Sequence, residues 1–345
     1  MRTIQAEEIR KTVAELCIRA NTVLPEDVRA AMERSRKTEP WPTAQQSLDV
    51  LLENLACAKE KNCPICQDTG LACVFLELGQ DVHIEGDVNA AVNAGVHDGY
   101  CDGYLRKSAV GDPLRRVNTE DNTPTFLTVH LVPGDGCRIT LLPKGFGSEN
   151  MSRLAMLKPA DGVEGVKNFV LDTVRAAGPN PCPPIVIGVG IGGTFDKCAA
   201  LAKQALLRPL DQPNADPYYA DLERELLEAV NALGIGPQGF GGKTTALGLN
   251  IETAATHVAG LPVAVNINCH AAPQGRITVL TESEAPAQPE PASADSYTVV
   301  RGDCLWNIAV HFYGDGMKFR SIAAANGLKQ PWIILPGQTL TVPAA

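Results

Sequence analysis

Residues 281–295 read TESEAPAQPEPASAD, with four acids, three prolines and no aromatic or large aliphatic side chain. Such a stretch has no apolar surface to set against the entropy of ordering its backbone, so it reads as a disordered linker. One hydrophobic core cannot run through it. The chain is therefore expected to divide into a large domain over residues 1–280 and a small module over residues 296–345, in keeping with a length that exceeds what one compact core usually holds.

Outside that stretch the composition is that of a folded, soluble protein, with 45% apolar and 20% charged residues among 345. The formal net charge of −9, with no long run of Lys or Arg, speaks against nucleic acid or an anionic membrane surface as a partner. The start, MRTIQAEEIRKTVAELC, has two early acids and no apolar signal-peptide region, and reads as an amphipathic helix. No apolar stretch is long enough to span a bilayer. The expected location is the cytoplasm.

Periodicity gives a mixed α/β class. TVLPEDVRAAMERSRKTE and TAQQSLDVLLENLACAKEKN read as helices, LACVFLEL, TFLTVHLV and CRITLLP as strands, and VNAAVNAGVHDGYCDGYLRKSAVGDPL as a helix that becomes irregular. From residue 180 the pattern is strand PPIVIGVG, helix TFDKCAALAKQALL, helix YYADLERELLEAVNAL, a glycine-rich loop and strand LPVAVNIN. The module after the linker reads strand, helix, helix, strand, a βααβ unit.

Three glycine loops invite a phosphate reading. Gly188, Gly190 and Gly193 satisfy G-x-G-x-x-G after a strand and before a helix, but the acid at the expected distance, Asp211, lies among prolines that forbid the required second strand. GPQGFGGKTT fails on count, because the first glycine of a phosphate loop would fall on Pro237. PKGFGSEN, with Lys144 and Ser148, is the third.

Eleven cysteines, an odd number scattered along a chain without a signal peptide, argue for free thiols rather than a disulfide framework. Lone ones in apolar segments, such as Cys17, Cys57 and Cys73, read as small buried hydrophobes. In CPICQDTG, Cys63 and Cys66 lack the second pair a structural zinc needs, while a redox pair or two ordinary thiols in a turn stay open. Cys182 in NPCPP and Cys269 in NINCHAAPQGR also flank strands. Three thiolates from distant loops could hold an iron–sulfur cluster on three corners and leave one iron open as a Lewis acid. Spacing alone does not select these three among eleven.

PICQDTG, LRKSAV, PKGFGSENMS, CPPIVIGVGIGGTFDKCAALAKQALLR, GIGPQGFGGKTTALG and VNINCHAAPQGR occur in this order. Over about residues 10–280 the chain thereby resembles the N-terminal domain, or α subunit, of class I fumarate hydratases and the related L-tartrate dehydratases. The resemblance implies an oxygen-labile 4Fe-4S cluster on Cys66, Cys182 and Cys269, with Cys63 not a ligand. It implies that Gln67 and Asp68 contact substrate or iron-bound oxygen, that Arg106 binds a substrate carboxylate, and that Gly147 offers a backbone contact. Phe146 stands where the family commonly has glycine, and Ala271, Ala272, Pro273 and Gln274 where relatives often carry Trp and Arg. The family's proton-abstracting residue lies in a second domain or separate β subunit, and no such segment follows residue 280, so a β-subunit partner is expected.

YTVVRGDCLWNIAVHFYG, IAAAN and LPGQTLTVP resemble a LysM domain. That resemblance implies a groove for an N-acetylglucosamine-containing glycan, or a protein-docking role, lined by Gly302, Asp303, Cys304, Leu305 and Leu335, with Trp306 in the core. The functional expectation is a hydro-lyase acting on a dicarboxylate, reversible hydration of fumarate to L-malate. L-Tartrate dehydration is the alternative, and a LysM-mediated binding protein with an idle cluster domain the reading of another class.

Overall fold

The structure, a computed structural model, describes residues 2–271, 295–300, 303–314, 316–328 and 334–343. The linker reading up to residue 294, Ala272, Pro273, Gln274 and Gly302 lie outside the described residues. The chain forms two compact units that divide between residues 281 and 282.

The first unit opens with strand β1 (Arg2–Gln5), then helices α1 (Ala6–Thr22), α2 (Glu26–Thr38) and α3 (Pro42–Lys61). The amphipathic helix expected from the first residue thus begins only at Ala6. Residues 2–5 pair in parallel with Val82–Glu85, burying Ile4, while the Gln5 amide donates to Glu85 at 2.6 Å. Next come β2 (Leu71–Gly79), β3 (Val82–Glu85), α4 (Val88–Asp102), β4 (Phe126–Val132), β5 (Cys137–Lys144) and the single turn α5 (Phe146–Glu149). They are followed by β6 (Arg153–Leu157), α6 (Gly162–Ala177), β7 (Ile185–Gly192), α7 (Phe195–Ala205), α8 (Pro217–Asn231), β8 (Ala246–Ala254) and β9 (Leu261–Asn268). Strands β3, β6 and β8 and helix α6 come in addition to the elements expected from sequence.

Two sheets organise these elements. The first has order β4-β2-β5, and its central strand β2 is buried on both faces, which is why LACVFLEL is nearly all apolar. Ala72, Val74 and Leu76 face α1 and α4, while Cys73 and Phe75 face the core shared with α2 and α3. The second sheet has order β6-β9-β7-β8, with β7 parallel to β8 and antiparallel to β9. Ile185, Ile187, Val189 and Ile191 of β7 pack with α6 and α8.

The alternate residues of β7 explain one glycine pattern. A Cβ at Gly188 would lie 2.1 Å from the Ala202 carbonyl oxygen, and one at Gly190 2.2 Å from that of Cys198. These glycines let the backbone of α7 lie against the strand. The G-x-G-x-x-G spacing serves helix–strand packing.

The GPQGFGGKTT loop does cradle an anion, from its own chain. The carboxylate of Glu39, 2% exposed, accepts from the N–H of Lys243 at 2.9 and 3.0 Å, from the N–H of Thr244 at 2.8 Å and from its hydroxyl at 2.8 Å. Burial opposes ionisation of Glu39, but these donors outweigh it and hold its pKa below the usual value. Glu39→Ala leaves the buried N–H and hydroxyl of Thr244 and the part-buried N–H of Lys243 unpaired. It is expected to destabilise the chain by about 2–4 kcal/mol, read as a lower denaturant midpoint at unchanged slope.

The second unit consists of β10 (Asp295–Thr298), α9 (Leu305–Tyr313), α10 (Phe319–Ala325) and β11 (Thr339–Val342), with β10 antiparallel to β11. Val299, Leu305, Ile308, Ile322, Leu340 and Val342 form its core. Leu305 is therefore a core side chain and does not line a groove. Trp306, expected in the core, is 47% exposed, with its indole against Gly316 and Phe319. Asp303 accepts from the Tyr297 hydroxyl and the Val300 N–H, both at 2.8 Å, while Cys304 and Leu335 are exposed. Among the described residues no helix is long and apolar enough to cross a membrane.

Candidate active site

The register of the two sheets brings four loops to one place. β2 begins where β5 ends, with Leu71 opposite Lys144, and β7 begins where β9 ends, with Val186 opposite Asn268. The Lys144 ammonium, 1% exposed, ties the two ends together by donating to the Ile267 carbonyl at 2.8 Å and to the Ser148 hydroxyl at 2.9 Å. The loops ahead of β2 and β7 and those following β5 and β9 therefore meet. Contacts among them trace the site: Asp68 to Phe146, Gly147 against Asn180, and His270 to Cys182.

A half-buried carboxylate underlies this junction. Glu149 receives hydrogen bonds from Lys203 and from Asn266 at 2.8 Å, and lies 3.1 Å from the Lys144 ammonium. Burial favours its neutral form, but the two lysines and the Asn266 amide overcome that and bring its pKa down to about 2. Burial lowers the Lys144 pKa, with Glu149 opposing. Because the folded pKa of Glu149 lies below its ordinary 4.5, its stabilising contribution is fully present above that value and fades as the pH falls toward about 2. Glu149→Gln is expected to cost about 3 kcal/mol at neutral pH, with the gap to the parent closing below roughly pH 4. Chemical denaturation across pH 3–8 measures it.

The three candidate ligand cysteines come from three of the meeting loops. Cys66 is half-buried, and its Sγ accepts the Asp68 N–H at 3.5 Å. Cys269, half-buried, packs with Cys63 and Cys66 on the core beneath α2 and α3. Cys182 is exposed and has φ +55°, a left-handed backbone that few non-glycine residues adopt. Burial pushes the Cys182 thiol up, and the neighbouring charges of Cys66 and Asp68 push the same way, so the two cysteine loops share one electrostatic neighbourhood.

Among the described residues no group of three or more His, Cys, Asp or Glu stands close enough to hold a single metal ion. The ligands of a cuboidal cluster bind separate irons and stand farther apart than those of one ion. Three soft thiol donors, one receiving a backbone N–H, fit such a cluster with one iron lacking a thiolate ligand.

Asp68 is fixed from both sides. Its Oδ1 accepts the Gly70 N–H at 3.1 Å and its Oδ2 the Phe146 N–H at 3.3 Å, and a Cβ on Gly145 would come within 3.2 Å of Oδ2. Thr69, the next residue, is buried, and its hydroxyl accepts the Arg106 N–H at 2.9 Å, bringing the LRKSAV segment beside QDTG. The Gln67 and Arg106 side chains are exposed, and neither makes a hydrogen bond or ion pair among the described residues. Gly147 is exposed in α5, where an added Cβ would meet only the Asn180 carbonyl oxygen at 3.7 Å, and Phe146 beside it is exposed.

Sequence reasoning did not single out His270 or Glu149. His270 is buried, and its Nδ1 lies 2.9 Å from the Cys182 carbonyl oxygen. Burial lowers its pKa, and the hydrogen bond to Cys182 partly restores it. Its position directly after Cys269 was the available signal.

Comparison with known proteins identifies the family of each part of the chain. The fumarate hydratase (Fumerase) family model matches residues 10–278, and the LysM domain model matches residues 297–343. A Methanocaldococcus jannaschii protein bearing the provisional name L(+)-tartrate dehydratase subunit alpha is 43% identical over 271 residues, covering 76% of this chain and 95% of its own. The L(+)-tartrate dehydratase subunit alpha of Escherichia coli (strain UTI89 / UPEC) is 32% identical over 276 residues, covering 79% and 91%. The chain belongs to the fumarate hydratase (Fumerase) family of class I iron–sulfur hydro-lyases and carries a LysM domain after its family region.

Proposed function

We propose that the chain is the α subunit of a hydro-lyase that dehydrates L-tartrate or a closely related 2-hydroxy dicarboxylate, acting with a separate β subunit. The observation that carries the reading is the meeting of the Cys66–Asp68 loop with the Cys182 and Cys269 loops at the ends of the two sheets. The names of the relatives support tartrate over fumarate, the substrate favoured by the sequence expectation.

Cys66, Cys182 and Cys269 would hold a 4Fe-4S cluster, which supplies a Lewis acid for the leaving hydroxyl. The Arg106 guanidinium, exposed beside Thr69, offers a bidentate clamp for one substrate carboxylate. Asp68, immobilised by two backbone N–H groups, orients the departing hydroxyl or water, with the Gln67 amide as neighbour. The Gly147 backbone lies open to the second carboxylate. Proton abstraction from the adjacent carbon falls to the β subunit. The LysM domain, with exposed Trp306 and Leu335, would dock the enzyme on an N-acetylglucosamine-containing glycan or a protein.

The test is turnover of the chain prepared anaerobically, alone and with its β subunit. The pair is expected to convert L-tartrate to oxaloacetate with kcat/KM at least about tenfold above that for L-malate, a gap of about 1.4 kcal/mol, and the lone chain to turn over neither. Full activity of the lone chain overturns the partner requirement. A preference for L-malate restores the fumarase reading.

A further inference from the structure

Two of the three cysteine loops are joined by one buried side chain, His270. Cys182 occupies a left-handed conformation at φ +55°, between Pro181 and Pro183, neither of which has an N–H to offer. A non-glycine residue held there stores strain of about 1–3 kcal/mol, which the surroundings must overcome. The surroundings are specific. The Cys182 N–H donates to the Pro179 carbonyl at 3.0 Å, and Gln238 donates twice to the next carbonyl, Pro183, from its backbone at 2.8 Å and its amide at 2.7 Å. The Cys182 carbonyl itself is met by His270 Nδ1 at 2.9 Å. A carbonyl oxygen can only accept, so Nδ1 carries the proton. His270 is buried and directly follows Cys269, so its ring fixes the path of one cysteine loop from within another.

We infer that His270 is a positioning residue that clamps the Cys182 and Cys269 loops in register, holding Cys182 in its left-handed conformation so that its thiolate presents to the cluster. The inference rests on the three-cysteine reading above. His270 acts through the backbone of Cys182 and has no contact with substrate in this role. A merely packing histidine would tolerate any side chain of similar size. A clamp requires a donor where Nδ1 stands, which asparagine can supply from a similar distance along the side chain and leucine cannot.

The experiment compares the full chain with His270→Asn, His270→Gln and His270→Leu. Each is loaded anaerobically with iron and sulfide, and cluster loss to an iron chelator is followed by the decay of visible absorbance. Thermal unfolding of each chain without iron is recorded alongside. His270→Leu and His270→Gln are expected to lose the cluster about tenfold or more faster than the parent, in the range typical for removal of a supporting contact to a metal ligand. His270→Asn is expected to stay within about twofold of the parent. Equal lability in all four proteins overturns the inference, as does a loss of cluster stability in His270→Asn as large as in His270→Leu. If His270→Leu fails to fold, the Asn and Gln variants decide. Cys182→Ser and Cys269→Ser serve as controls: retention of a full cluster by either contradicts the ligand reading itself, whereas loss of cluster in both with parental lability in His270→Leu removes only the clamp.

Discussion

Replacing Cys182 by serine is expected to leave the chain folded and to remove its cluster and its turnover. Cys182 is exposed, so the substitution opens no cavity, and serine can take up the same contacts to Pro179 and His270, which involve only the backbone. What changes is the donor. A serine hydroxyl is a hard, weakly acidic ligand where the site presents soft thiols. Activity with the β subunit is expected to fall more than about 100-fold, beyond what loss of a supporting contact costs, while the unfolding midpoint of the iron-free chain moves by no more than a few degrees. Cys66→Ser and Cys269→Ser are expected to behave alike, with a somewhat larger stability cost because both pack on the core beneath α2 and α3. Cys63→Ser, at a half-buried neighbour in the same cluster of side chains, is expected to keep its iron. Iron and sulfide content per chain, with turnover, separates these outcomes.

The second large effect is at Asp68. Asp68→Asn preserves size and one acceptor oxygen but removes the charge and turns the other acceptor into a donor facing an N–H of Gly70 or Phe146. The loss of one loop hydrogen bond costs about 1 kcal/mol of stability. Turnover is expected to drop by about 10²–10⁴, the range for a positioned proton-handling or water-orienting carboxylate, with KM changed far less. The cluster content should match the parent, since Asp68 is not among the proposed ligands. A large drop in iron instead of kcat would reassign Asp68 to the cluster.

The sequence carried much of the fold because its strongest signals are local. LACVFLEL and PPIVIGVG are apolar on both faces because each runs through the centre of its sheet, and LERELLEAV shows the helical stripe that buries Leu222, Leu226 and Val230. Edge elements were harder to read. Arg2–Gln5 forms a strand through its pairing with Val82–Glu85, some eighty residues away, which no local period reports. Arg153–Leu157 is a five-residue edge strand whose two exposed residues, Arg153 and Met156, stand three apart, so no period of two marks it.

The site divides in a similar way. Cys66, Asp68 and Arg106 could be named from motif order, and the structure shows Thr69 as the hinge between the QDTG and LRKSAV segments. The supporting network could not be named in advance. Lys144 reaches Ile267, 123 positions along the chain, and Glu39 reaches Lys243 and Thr244 more than 200 positions away. The glycine loops looked like nucleotide sites because glycine marks close approach of any kind. Here the approach is a helix backbone at Gly188 and Gly190, and a carboxylate of the chain itself at Lys243 and Thr244.

Three cysteines are proposed to hold a four-iron cluster with one iron lacking a protein ligand. This proposal is tested most directly by the iron and sulfide content of the anaerobically loaded chain before and after mild oxidation. About four irons and four sulfides per chain are expected, falling to about three irons with sulfide unchanged, because one iron has no thiolate to retain it. Retention of all four irons after oxidation, or a loaded chain that holds no stoichiometric sulfide, would contradict it.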